Sequence, residues 1–232
     1  MLDWKNINTV LLDMDGTLLD LHFDSHFWQN YVPQRYAFSR GLDIPTAKRL
    51  LAPIFKQHEG TLNWYCLDFW TRELELDIAE LKKDVAHLIA IKPGALEFLH
   101  QLRRQGKRCV LVTNAHQDSL ALKLEHTRLD NHLDEIISAH ELGLPKEAPS
   151  FWAELQKHTT YTPQQTLLID DNLHALRTAQ QFGIKYLLAA CHPDSQQPKR
   201  QTDEFISFHE FDEITPMIDE HQASVFSGGS TA

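Results

Sequence analysis

Five short apolar runs, most of them breaking off into polar residues, constrain this chain more than any other feature. Thr9-Val10-Leu11-Leu12 runs into Asp13-Met14-Asp15-Gly16-Thr17, and Arg108-Cys109-Val110-Leu111-Val112 ends at Thr113-Asn114. Glu135-Ile136-Ile137-Ser138 follows, then Thr166-Leu167-Leu168-Ile169, which leads into Asp170-Asp171-Asn172, then Ile184-Lys185-Tyr186-Leu187-Leu188. Apolar runs without alternation suit strands covered on both faces. Helical stripes lie between them. Ala95, Leu96, Leu99 and Leu102 form one, ended by Gly106; Leu120, Ala121 and Leu124 form another behind Asp118 as its cap; Leu173, Leu176, Ala179 and Phe182 form a third, stopped by Gly183. Strands alternating with helices predict an α/β fold with a parallel sheet flanked by helices and right-handed crossovers.

One interval is too long for that scheme. A hundred residues separate Asp13 from Thr113, and the stripe at 95–102 already supplies the crossover. The surplus, residues 21–90, reads as helices. Ile78, Leu81, Val85, Leu88 and Ile89 stand at helical spacing behind Asp77, with Glu80 at the capping-box position. Gly41 and Pro45 separate two helical patterns, and Pro53 is expected to kink or end the second. The predicted organisation is a core of residues 1–20 and 91–221, a helical insertion at 21–90, and a small, polar, disordered tail at 222–232.

Composition narrows the function. The 232 residues carry 22 Lys and Arg against 32 Asp and Glu, a net charge of −10 that argues against a nucleic-acid-binding surface. Hydrophobic residues, at 42%, suffice for a core. Cys66, Cys109 and Cys191 stand far apart with no CxxC or Cys/His cluster, so neither a disulfide framework nor a zinc site is indicated. With no signal peptide and no apolar stretch long enough for a membrane span, the expectation is a cytoplasmic protein without a membrane partner.

In an open parallel sheet, ligands bind beyond the carboxyl ends of the strands. That edge would gather Asp13, Asp15, Thr113, Asn114, Asp170 and Asp171, together with Lys146 from the loop after the third strand. Crowded carboxylates repel unless a cation neutralises them, and all-oxygen ligation suits Mg²⁺. Lys146 reads as the single fixed positive side chain nearby. Such a set fits phosphoryl transfer through an aspartyl-phosphate.

Asp13-Met14-Asp15-Gly16-Thr17, Thr113, Lys146 and Asp170-Asp171, in this order, resemble the four motifs of the haloacid dehalogenase (HAD) superfamily. Its members share a Rossmannoid parallel sheet, some with a C1-type helical cap inserted after the first strand, where residues 21–90 lie here. The stretches 10–20, Thr61-Leu62-Asn63-Trp64-Tyr65-Cys66-Leu67-Asp68, Thr113–His116 and Lys123-Leu124-Glu125-His126-Thr127 are similar to bacterial purine 5′-nucleotidases of that superfamily, which prefer GMP and IMP. The resemblance implies a Mg²⁺-dependent hydrolase of phosphoric monoesters. Asp13 would be the nucleophile and Asp15 the general acid and base. Asp13, the Asp15 carbonyl and Asp171 would bind the metal with Asp170 in support, and Thr113, Asn114 and Lys146 would hold the phosphoryl group. The implied partner is a small phosphate ester, a purine nucleotide.

The dehalogenase branch lacks a carboxylate at the place of Asp15. The fourth motif often has a further Asp where this chain has Ala175. A sugar-phosphate phosphatase or phosphomutase would share the core motifs, and a non-enzymatic phosphoacceptor domain would share Asp, Thr and Lys at strand ends but lack the insertion. Trp64, Tyr65, Phe69 and Trp70 read chiefly as core, with stacking on a base as the alternative.

Overall fold

A computed structural model of the chain describes residues 2–202 and 204–216; the expected tail at 222–232 lies outside the described residues. Six strands form one parallel sheet: β1 (Thr9–Leu12), β2 (Arg108–Thr113), β3 (Glu135–Ser138), β4 (Thr166–Asp170), β5 (Tyr186–Ala190) and β6 (Ser207–Phe208), in the order β3-β2-β1-β4-β5-β6. The order reverses direction at β1, which pairs with β2 on one side and β4 on the other. A crevice opens at such a reversal beyond the strand ends, and the acidic turns of β1 and β4 meet there.

Helices α1 (His22–His26), α2 (Val32–Arg40), α3 (Ile44–His58), α4 (Leu62–Tyr65), α5 (Leu67–Leu74) and α6 (Ile78–Asp84) all lie between β1 and β2. A π-helical turn, Phe27–Tyr31, joins α1 to α2. The remaining helices are α7 (Ala95–Arg104), α8 (Gln117–Thr127), α9 (Ala139–Leu142), α10 (Phe151–His158) and α11 (Leu173–Phe182). No described helix is long and apolar enough to cross a membrane.

Strand alternation explains the core. Successive side chains of β1 point to opposite faces. Val10 and Leu12 therefore pack with Phe98 and Leu102 of α7, while Leu11 packs with Phe151 and Trp152 of α10 and Leu176 of α11. All four β1 residues are buried because helices cover both faces. A third cluster belongs chiefly to the helices after β1, where Phe23, Phe27, Leu51, Leu67 and Trp70 bury one another. Trp70 is 1% exposed and donates its indole N–H to the Trp64 carbonyl, so it is core, as expected.

Several local expectations need correction. Of the two outcomes expected at Pro53, a kink or an end, the end is ruled out, because α3 runs through Pro53 to His58. The fifth strand begins at Tyr186, two residues later than its apolar run. Strand β6 is too short to leave a periodic signal. The cap of α8 is His116, whose Nδ1 accepts from the Asp118 amide at 3.4 Å; Asp118 sits inside the first turn. The stripe behind Asp77 divides, with α6 ending at Asp84 and a 3-10 turn at Ala86–Leu88 carrying the rest. Asp77 does cap α6, accepting from the Glu80 amide at 3.0 Å.

Candidate active site

The residues expected at the sheet edge converge. Asp13 follows β1 directly, Thr113 ends β2, Asp170 ends β4, and Lys146 follows α9. Lys146 Nζ donates to Asp13 Oδ1 and to Asp170 Oδ2, each at 2.6 Å, and is 2% exposed. Its own backbone is fixed by the Asn114 side chain, whose Oδ1 accepts from the Lys146 amide at 2.9 Å. Thr113 is 1% exposed, and its Oγ1 accepts from the Ala115 amide, which tightens the turn leaving β2. Gly16 makes the approach of Asp171 feasible. It has φ +92°, and a Cβ there would lie 2.8 Å from Asp171 Cγ and 2.9 Å from Pro193 Cβ.

The charges are balanced by more than one cation, which corrects the expectation that Lys146 stands alone. Lys123 of α8 reaches Asp15 Oδ1 and Asp24 Oδ2, both at 2.6 Å, while Lys82 of α6 reaches Asp24 Oδ1 at 2.5 Å. Arg200 Nη1 lies 3.2 Å from Asp171 Oδ2. Asp13 and Asp15, two residues apart, are thus tied to different lysines from different elements.

Burial is the largest influence on each carboxyl. It pushes Asp13 up to about 7, with Lys146 pulling down and Asp170 adding to the rise. It raises Asp171 to about 7, with Asp13 adding and Arg200 opposing, and Asp170 to about 6 against the pull of Lys146. Asp15 is raised by burial against Lys123. Asp24 goes the other way: burial acts upward, but Lys123 and Lys82 outweigh it and hold the carboxyl well below the usual range. Lys146 is held above the ordinary lysine range because Asp13 and Asp170 outweigh its burial.

Three carboxylates, Asp13, Asp170 and Asp171, place one oxygen each within 4.8 Å of one another. Asp13 Oδ2 is buried without a hydrogen-bond partner. Asp170 has both oxygens engaged, Oδ2 by Lys146 and Oδ1 by the Asn172 amide at 2.9 Å. Asn172, rather than either aspartate, caps α11, accepting from the His174 and Ala175 amides.

The site floors a cavity of about 1330 Å³ whose opposite wall comes from the helices after β1. Trp28, Phe55, Trp64 and Tyr65 face it. Tyr65 donates to Glu147 Oε1 at 2.5 Å, and Glu147 also accepts from Asn114 Nδ2 at 2.9 Å and Asn172 Nδ2 at 2.8 Å.

Sequence reasoning missed Asp24, Lys82, Lys123, Glu147 and Arg200. Two of them did leave a signal. Lys82 stands on the stripe of Ile78, Leu81 and Val85, and Lys123 beside Leu120 and Leu124, both 2% exposed. A lysine on the buried face of a helix is expensive unless paired, so its position alone implies a carboxylate partner.

The family model of haloacid dehalogenase-like hydrolases matches residues 7–183, which spans β1 through α11 and every carboxylate described above. The chain belongs to the haloacid dehalogenase-like hydrolases. It is accordingly an enzyme, a hydrolase. Among relatives, the GMP/IMP nucleotidase YrfG of Escherichia coli (strain K12) is 40% identical over 215 residues, 93% of this chain and 97% of that one. A HAD phosphatase from Thermococcus onnurineus superposes with a TM-score of 0.72 at 18% identity, over 97% of this chain and all of that one. The L-2-haloacid dehalogenase of Xanthobacter autotrophicus, at TM-score 0.61 and 16% identity, covers 97% of this chain and 100% of its own. At such identities the two structures share the HAD fold with this chain and say nothing of its substrate.

Gly16→Ala is expected to destabilise the protein by about 1–3 kcal/mol through the positive φ alone, before the clash with Asp171 is added. Urea denaturation measures it; an unchanged midpoint would show that the turn adapts.

Proposed function

We propose that this HAD hydrolase is a phosphomonoesterase that cleaves purine nucleoside 5′-monophosphates, GMP and IMP, to nucleoside and phosphate. One observation carries the chemistry: Asp13 and Asp15, two residues apart on the cavity floor, are each paired with a different buried lysine. Similarity to a GMP/IMP nucleotidase supports the substrate. The aromatic wall of Trp28, Phe55, Trp64 and Tyr65 is suited to a flat base.

In this reading Asp13 attacks the phosphorus through one carboxyl oxygen, which leaves the other for a cation, with Lys146 beside the carboxylate. The bond from phosphorus to the ribose oxygen breaks, and Asp15 gives that oxygen its proton. Asp15, now ionised beside Lys123, takes a proton from water as the water attacks the phosphoaspartate, which releases phosphate and restores both carboxyls. A raised carboxyl is a competent donor, which is why the burial of Asp15 matters. Thr113 and the Asn114 backbone hold phosphoryl oxygens, and Lys146 screens their charge against Asp13.

The oxygen donors fit Mg²⁺: clustered carboxylates with an unpartnered Asp13 Oδ2. Asp13, Asp171 and the Asp15 carbonyl would hold it. Asp170, with both oxygens in use, acts through Lys146 and the Asn172 amide instead. When bound, the cation supplies charge that keeps Asp13 and Asp171 ionised and offsets the phosphoryl charge. The helices of residues 21–90 serve as the cap that closes the cavity over the nucleoside, with 1–20 and 91–221 as the catalytic core.

Phosphate release from GMP, IMP, AMP and sugar phosphates, with Mg²⁺ or excess EDTA, tests the proposal. Metal-dependent preference for GMP and IMP is expected, with turnover lost in Asp13→Asn. Turnover confined to sugar phosphates would remove the nucleotide assignment, and a fully active Asp13→Asn would remove the nucleophile.

Stability should respond to pH and metal together. Asp13 and Asp171 are raised to about 7, so between the ordinary carboxylate range and that value the native state holds more protons than the unfolded chain. These groups therefore cost stability as pH rises through that window, and Mg²⁺ relieves the cost. The Tm increase on adding Mg²⁺ is expected to be larger at about pH 8 than at about pH 5.5. Equal increases would place the metal elsewhere.

A further inference from the structure

A second cluster of metal-ligating side chains lies beside the cavity, and phosphoryl transfer uses none of it. Cys66, His116 and His140 each place one ligand atom within 4.8 Å of the others. Although sequence spacing gave no sign of a Cys/His site, the fold assembles this one from three separate segments. Cys66 lies between α4 and α5, His116 follows β2 at the head of α8, and His140 is in α9 just after β3.

Cys66 Sγ accepts from the Phe69 amide at 3.4 Å, at the start of α5. His140 Nε2 is buried with no hydrogen-bond partner. The His116 ring lies 5.0 Å away between centroids. His116 has Asp118 Oδ2 3.5 Å from Nδ1 and Asp68 Oδ2 3.8 Å from Nε2. Exchanging the long bond from the Asp118 amide for one from Nδ1–H to the Asp118 carboxylate frees Nε2 for an ion, the carboxylate–histidine–metal arrangement.

We propose that Cys66, His116 and His140 form a second metal site, for a borderline-soft divalent cation of the zinc class, that ties the helices after β1 to the sheet edge. One thiolate and two imidazoles suit Zn²⁺ and not Mg²⁺, so the site does not compete with the carboxylate cluster for the same ion. Tetrahedral zinc at ordinary bond lengths spaces such ligands about 3.3–3.6 Å apart, so the three atoms close by at most about 1.5 Å on binding. Asp68, two residues from Cys66, or water completes the fourth position. Cys66 adjoins Tyr65, whose hydroxyl meets Glu147 across the cavity. An ion here therefore pins that wall of the cavity against the sheet.

The test uses the full chain stripped of metal and titrated with Co²⁺, then with Zn²⁺ as competitor. A thiolate-to-cobalt charge-transfer band in the near ultraviolet is expected, displaced by Zn²⁺. It should vanish in Cys66→Ser and His140→Gln and persist in Asp171→Asn and Cys191→Ser. Absence of the band in the native protein, or its survival in Cys66→Ser, overturns the proposal. Asp118→Asn, at an exposed side chain that leaves the three ligands in place, guards against a folding artefact. It is expected to weaken Zn²⁺ binding about 10-fold, and unchanged affinity would rule out the role given to His116. The readout does not depend on turnover, so it stands or falls apart from the nucleotidase assignment.

Discussion

Everything at the sheet edge depends on how buried carboxylates are kept together. Asp13, Asp170 and Asp171 converge where the strand order reverses, and Lys146 bridges two of them at 2.6 Å. Removing one partner of such a buried pair typically costs about 3–5 kcal/mol, because a desolvated charge is left behind. The lysine therefore fixes two strand ends and the loop after α9 as a unit, with Asn114 pinning its backbone. Even so, burial leaves Asp13 and Asp171 near 7. That residual excess of buried acid is what makes a cation a natural component of the site.

A second charge network extends this unit into the helices after β1. Asp24 of α1 lies between Lys82 of α6 and Lys123 of α8, and Lys123 also holds Asp15. Three elements far apart in sequence thereby set the surroundings of one carboxyl, that of Asp15. If those helices move, Asp15 loses the partner of its partner. The placement of α1 and the charge beside Asp15 are consequently linked through Lys123.

Much of this was legible in the sequence, for definite reasons. Unalternating runs such as Val10-Leu11-Leu12 announced strands buried on both faces, and the polar residues after them announced the site. Gly183, at φ +105°, ended α11 as expected because the left-handed stop suits glycine. What escaped was contact between elements. The partner of Lys123 is set by how α1 docks, and Arg200 reaches Asp171 from a segment without periodicity. The meeting of Cys66 with His116 and His140 depends on how the helices lie against the sheet. Capping also misled at α8, since Asp118 was a better cap residue by propensity than His116, yet strand-end geometry decided.

The central claim is that the carboxyl held by Lys146 carries the phosphoryl group. Rapid acid quench of a single turnover with GMP and Mg²⁺, followed by hydride reduction and peptide mass spectrometry, reads this directly. The account predicts transient modification at Asp13 that rises before phosphate is released and then decays. Modification at another residue, or phosphate release with none at all, would contradict it.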